Sequence, residues 1–212
     1  VTTTRLNTTF NEIVKGRRSI RKYDTTVKIS KEEMHEILET ATLAPSSVNL
    51  QPWRFLVIES DDAKATLAPL ARFNQTQVAT SSAMIVLFGD LKTLDYSEEI
   101  YGHAVELGYM PEEVKESQIK SIAAHYANMT TEELKETVLI DAGLVAMQFM
   151  LTARAHGYDT CPIGGFEKDK IAEAFGMDKD RYIPVMMMSI GKADDTGYQS
   201  VRLPVERIAT WK

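Results

Sequence analysis

Five cations fall within the eight residues Lys15 to Lys22 (KGRRSIRK), and no acid interrupts them. Guanidinium groups at Arg17, Arg18 and Arg21 can fork onto phosphate oxygens, with Ser19 supplying a hydroxyl donor. The run suits a solvated helix end equally well, because the helix dipole stabilises cations at a C-terminus. A second polar segment sets Ser46, Ser47, Asn49 and Gln51 between Pro45 and Pro52, just before Trp53. It reads as a surface turn or as a binding loop that enters a buried strand. A third segment, Cys161-Pro162-Ile163-Gly164-Gly165-Phe166, follows a strand. It is either a connection that needs positive φ or a backbone that lets a flat ligand approach its N–H groups.

Other chemistries find no support. The chain has no G-x-G-x-x-G and no Walker A sequence. His35 lacks a second histidine one turn on, where Glu39 stands, so a zinc helix is not expected; no metal is expected elsewhere. His103, His125 and His156 are isolated, and Cys161 has no evident histidine partner, so thiol catalysis is not expected. The Met186-Met187-Met188 run reads as core packing. Lys and Arg number 24 against 30 Asp and Glu, a net charge of −6, which argues against nucleic acid as a partner. A single cysteine excludes a disulfide framework within the chain and fits a reduced, cytoplasmic setting. Val1 to Arg5 shows no apolar signal-peptide core.

These segments need elements to hold them. The 212 residues suit one domain with an ordinary apolar content of 44%. Phe10, Ile13 and Val14 make a short amphipathic helix ending at Gly16. Ser30-Lys31-Glu32-Glu33 reads as a capping box opening a helix that carries Met34, Ile37, Leu38 and Ala41 and stops at Pro45. Strands are expected at 53–58, 83–88, 158–162 and 182–190, and helices at 61–71 and 167–175. Residues 94–130 read as polar helices, one starting with Pro111 in its first turn. Thr130 to Glu133 is a second capping box. The helix beyond it contains the apolar run Thr137 to Ala153, about 25 Å long and so short of a bilayer core. With so few strands to cover it, that helix is expected to be buried between subunits as well as within one. The pattern is an α+β or α/β sandwich around one sheet.

Taken in order, the segments resemble the nitroreductase family of FMN-dependent oxidoreductases. RRSIRKY (Arg17 to Tyr23) is similar to the family's N-terminal arginine–serine motif, and APSSVNLQPWRF (Ala44 to Phe55) to its Pro-Ser-Asn-Gln-Pro-Trp loop. Phe73-Asn74, CPIGGF (Cys161 to Phe166) and Val201-Arg202-Leu203-Pro204 fall where the family has further flavin-contacting residues. The resemblance implies an α+β fold with a mostly antiparallel central sheet flanked by helices, in an intertwined homodimer with FMN at the interface. It implies that Arg17, Arg18, Ser19 and Arg202 hold the FMN phosphate and ribityl chain. Arg21 would stabilise the reduced flavin electrostatically, and Asn74 would bond the ring. Pro45, Ser46, Ser47, Asn49 and Gln51 would come from the partner chain, while Pro162, Ile163, Gly164 and Gly165 would line the ring. NADH or NADPH would be the donor and a small molecule the acceptor, with no membrane partner. The chain has Gly164, Ser200 and Thr137 where many relatives carry Glu, Lys and Gln. Residues 90–128 match least and would form a helical cover over the active site.

The expected activity is NAD(P)H-dependent reduction of nitroaromatics or quinones by ping-pong hydride transfer. Dehalogenation, enoate reduction and non-enzymatic flavin binding are the alternatives, and turnover with a quinone separates enzyme from binding module.

Overall fold

The computed structural model describes residues 9–212, so the reading of Val1 to Arg5 lies outside the described residues. Helix α1 (Phe10–Gly16) begins with a complete capping box between Thr9 and Glu12. Helix α2 (Lys31–Ala41) is capped by Ser30, whose side chain accepts from the Glu33 N–H at 3.1 Å. The reciprocal half of that box is replaced, because the Glu33 carboxylate accepts from the Tyr158 hydroxyl at 2.7 Å and lies 3.4 Å from His156 Nδ1. The helix also ends four residues before Pro45.

Strand β1 (Trp53–Ile58) is followed by α3 (Asp61–Leu67) and a short α4 (Gln75–Thr80) that the periodicity does not reveal. Strand β2 (Ala83–Asp90) is buried throughout. Helices α5 (Ser97–Glu106) and α6 (Glu112–Ala127) occupy the polar region. Pro111 is the N-cap of α6 rather than its first residue, with an extended ψ of 156°. Helix α7 (Thr131–Ala155) opens on the predicted Thr130–Glu133 box. Strand β3 (Asp159–Ile163), α8 (Lys168–Ala174) and β4 (Tyr182–Gly191) complete the fold.

The four strands form one antiparallel sheet in the order β1-β2-β4-β3. Alternate β2 side chains enter opposite cores: Ile85 and Leu87 pack with Ile37, Val145 and Phe149, while Met84, Val86 and Phe88 pack with Leu67, Val78 and Ile171. Two covered faces explain why β2 is apolar without alternation. Gly89 permits the close approach of α7, since a Cβ there would collide with Val138.

Helix α7 is longer than its apolar run, and by length and composition it is able to cross a membrane. Its length therefore decides nothing, but one face, including Asp141, is buried in the fold. On another face Leu139, Ile140, Leu144 and Met147 remain between 39% and 66% exposed. Helices α5 and α6 pack around Leu50, Tyr101 and Ile122, which places them against the polar loop before β1.

Candidate functional site

The arginine segment gains its shape from the free edge of the sheet. The chain leaves α1 in extended conformation at Arg17, and Ser19 bridges Thr160 on edge strand β3, with the Ile20 N–H donating to the Thr160 carbonyl at 3.1 Å. Tyr23 anchors the far end: it is buried, and its hydroxyl donates to the Ile20 carbonyl at 2.8 Å and lies 2.7 Å from Ser189 Oγ. Burial first, opposed by the Ser189 bond, drives the Tyr23 phenol far above its ordinary range.

The cations have distinct surroundings. Among the described residues, buried Arg17 Nη1 has no hydrogen-bond acceptor, and Thr160 Oγ1 on β3 is likewise buried without a partner. Arg18 is engaged by its own chain, donating to the Lys15 and Arg17 carbonyls at 2.8 and 2.9 Å and to Gln199 Oε1 at 3.4 Å. The Arg21 guanidinium lies 5.4 Å from the centre of the Tyr198 ring. Lys22 pairs with Asp194 at 2.6 Å, and the Arg21 and Lys22 N–H groups donate to Asp195. The run lacks acids in sequence, yet the tail after β4 supplies two. Ser19, Arg21, Asp195, Thr196, Gly197 and Tyr198 line a cavity of about 270 Å³. Arg202 is not joined to this cluster by any bond among the described residues; it donates to Ser200 Oγ and the Val201 carbonyl.

The turn after β3 lies next to Asn74. Asn74 Nδ2 donates to the Gly165 carbonyl at 3.1 Å and the Ala71 carbonyl at 2.9 Å, and its Oδ1 accepts from Gln77 at 3.1 Å. Both donors are thus used within the chain, leaving an Oδ1 lone pair for a ligand. Gly164 and Gly165 do not adopt positive φ, contrary to one reading of this turn, because the turn closes without a left-handed residue. A Cβ at either would meet nothing within 4 Å, so both face open space. Pro162 is exposed, whereas the Ile163 side chain is buried in a core and leaves only main chain for a ligand. Cys161 is buried; burial pushes its thiol pKa up, opposed by Arg21, Gln77, Arg17 and Ser19. Among the described residues no histidine is bonded to it, and no group of three metal-ligating side chains is present.

The loop from Pro45 to Gln51 carries the unusual backbone. Val48, Asn49 and Gln51 have φ of 44°, 54° and 49°, a region that costs a non-glycine residue about 1–3 kcal/mol. Neighbouring elements hold it there. The Ser47 N–H donates to both Asp141 oxygens at 3.0 and 3.1 Å. Tyr101 donates to the Val48 carbonyl, Thr93 to the Leu50 carbonyl and Arg54 to the Gln51 carbonyl, at 2.9, 2.9 and 3.0 Å. The Gln51 N–H donates to Ser46 Oγ at 3.0 Å. Arg54 is itself fixed by the fully buried Asp90 at 2.9 Å, which also takes two bonds from Arg181. Those bonds raise the Arg181 pKa further, ahead of the opposing effect of burial. Asn49 and Gln51 share a cavity of about 690 Å³ with Glu98, Glu99, His103 and Tyr109 of the α5 region. This cavity and the arginine cavity have no lining residue in common.

Sequence reasoning missed Asp141, Thr160, Gln77 and Asp195 as parts of these arrangements. Only Asp141 left a signal, as a charge on the apolar stripe between Val138 and Val145.

A sequence model described as the nitroreductase family matches residues 14–192. The Bacillus subtilis protein named "Putative NAD(P)H nitroreductase YdgI" is 66% identical over 203 residues, covering 96% of this chain and 97% of that one. The "CLA biosynthesis enone reductase" of Lactiplantibacillus plantarum is 34% identical over 189 residues, 89% of this chain and 87% of its own. A crystal structure of a "putative nitroreductase in complex with FMN" from Exiguobacterium sibiricum superposes with a TM-score of 0.95 at 68% identity, covering 97% of this chain and 98% of that chain. With motifs, fold and relatives in agreement along nearly the whole length, the chain belongs to the nitroreductase family.

Proposed function

We propose that this protein is an FMN-dependent NAD(P)H oxidoreductase that reduces nitroaromatic or quinone-type acceptors by ping-pong hydride transfer. The observation that carries the reading is Arg17 Nη1, a buried cationic donor with no acceptor among the described residues. A buried unpaired donor is costly, and a phosphate oxygen is a fitting partner for it. Gly164 and Gly165 add the open face that a flat ring needs. Bound FMN would supply the hydride chemistry, accepting from nicotinamide and donating to the acceptor. Arg17, Arg18, Ser19 and Arg202 bind its phosphate and ribityl chain. Arg21 places positive charge beside the pyrimidine edge, where reduction increases negative charge. Asn74 offers its remaining Oδ1 lone pair, and residues Pro162 to Gly165 bound the ring with main chain.

The chain works as a single-domain cytoplasmic homodimer, with FMN at the interface. Pro45, Ser46, Ser47, Asn49 and Gln51 reach the flavin across that interface; in support, Asn49 and Gln51 line a cavity separate from that of Ser19 and Arg21. The exposed Leu139, Ile140, Leu144 and Met147 face of α7 gives the dimer its apolar contact. Residues 90–128 cover the acceptor side.

Enone reduction is the second reading, because a relative with 34% identity carries that name. The test is purification followed by steady-state turnover of NADH and NADPH with a quinone, a nitroaromatic and an enone. The expected protein is yellow, dimeric at micromolar concentration, and releases FMN rather than FAD. Colourless protein that takes up no added FMN refutes the flavin reading. FMN-loaded protein without turnover on any acceptor makes it a binding module.

A further inference from the structure

The buried face of α7 is apolar except for Asp141 and Thr152. Asp141 is only 3% exposed, and among the described residues no Lys, Arg or His lies within ion-pair distance of it. A buried carboxylate costs several kcal/mol unless hydrogen bonds compensate it. Here the compensation comes from one residue. The Ser47 N–H donates to both carboxylate oxygens, and Ser47 Oγ donates to Oδ1 at 3.4 Å. Burial pushes the Asp141 pKa up and these bonds draw it back. Packing α7 requires none of this, because an apolar side chain would complete the stripe between Val138 and Val145 at lower cost.

The grip acts immediately before the strained residues. Ser47 precedes Val48 and Asn49, both in the left-handed region, and Gln51 follows in the same region. A β-branched residue such as Val48 is particularly ill suited to that conformation. The carbonyls at Val48 and Leu50 are tethered by the neutral hydroxyls of Tyr101 and Thr93, and the Arg54 guanidinium holds the Gln51 carbonyl at the far end of the loop. Hydrogen bonds to an ionised carboxylate are about twice as strong as neutral ones. We infer that Asp141 is a positioning residue, holding the Ser46 to Gln51 loop in the strained conformation that presents Asn49 and Gln51 to the flavin. This inference rests on the flavin reading above. Asp141 itself touches no ligand; it acts through Ser47.

The test compares Asp141→Leu, which keeps the branching at Cγ but has no acceptor, Asp141→Asn, which keeps one acceptor oxygen, and Val145→Ala, one turn along the same buried face. Two quantities are measured on the full chain: amide hydrogen exchange over residues 46–51 without FMN, and the FMN dissociation constant. For Asp141→Leu, exchange in the loop accelerates and FMN binding weakens by about tenfold or more, the equivalent of losing one charged hydrogen bond. Asp141→Asn falls between, at about threefold, which is partial rescue by the acceptor that remains. Val145→Ala lowers the melting temperature and leaves loop exchange and FMN affinity within about twofold of the parent, because its loss is confined to the core. Wild-type values of both quantities in Asp141→Leu overturn the inference. So does an equal loss of affinity in Val145→Ala, which would make the effect general destabilisation. Should Asp141→Leu fail to fold, unchanged values in Asp141→Asn overturn it instead. A parent protein that binds no FMN sinks the flavin reading and the presenting role with it. The exchange measurement still decides whether Asp141 anchors the loop.

Discussion

Replacing Arg17 by methionine separates a binding residue from a structural one, because the two roles predict opposite signs. Arg17 Nη1 is buried without an acceptor among the described residues. A donor left in that state costs about 1–3 kcal/mol. Methionine removes the orphan while keeping most of the aliphatic stem that packs on the chain. Allowing for some lost packing, the FMN-free variant should gain about 1 kcal/mol, or about 2–4 °C for a chain of this size. Binding changes the balance. A charged hydrogen bond to phosphate contributes about 1.5–3 kcal/mol, so FMN affinity should fall by about 10- to 150-fold. At FMN one hundred times the parent dissociation constant, the parent gains about 2.7 kcal/mol from linkage. A variant bound about thirtyfold more weakly gains only about 0.9 kcal/mol under the same conditions. The variant should therefore melt above the parent without FMN and below it with FMN. The assay is thermal unfolding of flavin-stripped protein across an FMN titration, with affinity measured independently by flavin fluorescence. A lowered melting temperature without FMN, combined with unchanged affinity, would show that Arg17 holds the fold together, and the phosphate argument would fail.

Further predictions address the ring, the sheet end and pH. Arg21→Ala should lower the midpoint potential of the bound flavin and slow its reduction, whereas Cys161→Ser should leave turnover nearly intact; stopped-flow reduction with FMN-saturated variants and potentiometry check both, and an abolished reaction in Cys161→Ser would mean thiol chemistry. Asp90→Asn should destabilise the protein by about 3–5 kcal/mol in denaturant titrations, because Arg54 and Arg181 lose the buried charge that pairs them. A loss below about 1 kcal/mol would mean water replaces Asp90 freely. Lys64 is buried against the Ser81 carbonyl, and burial, then Lys28, lower its pKa below 10.5. The unfolded chain therefore binds the Lys64 proton more tightly, so stability should rise with pH between the folded pKa and about 10.5. Lys64→Met should abolish that rise in unfolding measurements across the alkaline range.

The sequence by itself determined whatever depends on residues within about one helical turn or on strict periodicity. Thr130 and Glu133 cap each other three positions apart, as their types require. The unbroken apolar run at β2 announced a strand covered on both faces. The arginine cluster and the Pro45 to Gln51 loop stood out because their residue types are concentrated locally. Tertiary structure decided which partner each polar group takes. Glu33 had a cap within reach, yet its carboxylate meets Tyr158, 125 positions away. The glycines of the turn after β3 need no positive φ, while Val48, Asn49 and Gln51 accept it. That reversal has a cause outside the loop: Ser47 is gripped by Asp141, 94 positions distant. The left-handed backbone costs each of these residues about 1–3 kcal/mol, and a network of hydrogen bonds from distant segments offsets it. Such networks form between segments that only the folded sheet and helices bring together, so spacing along the chain carries no trace of them.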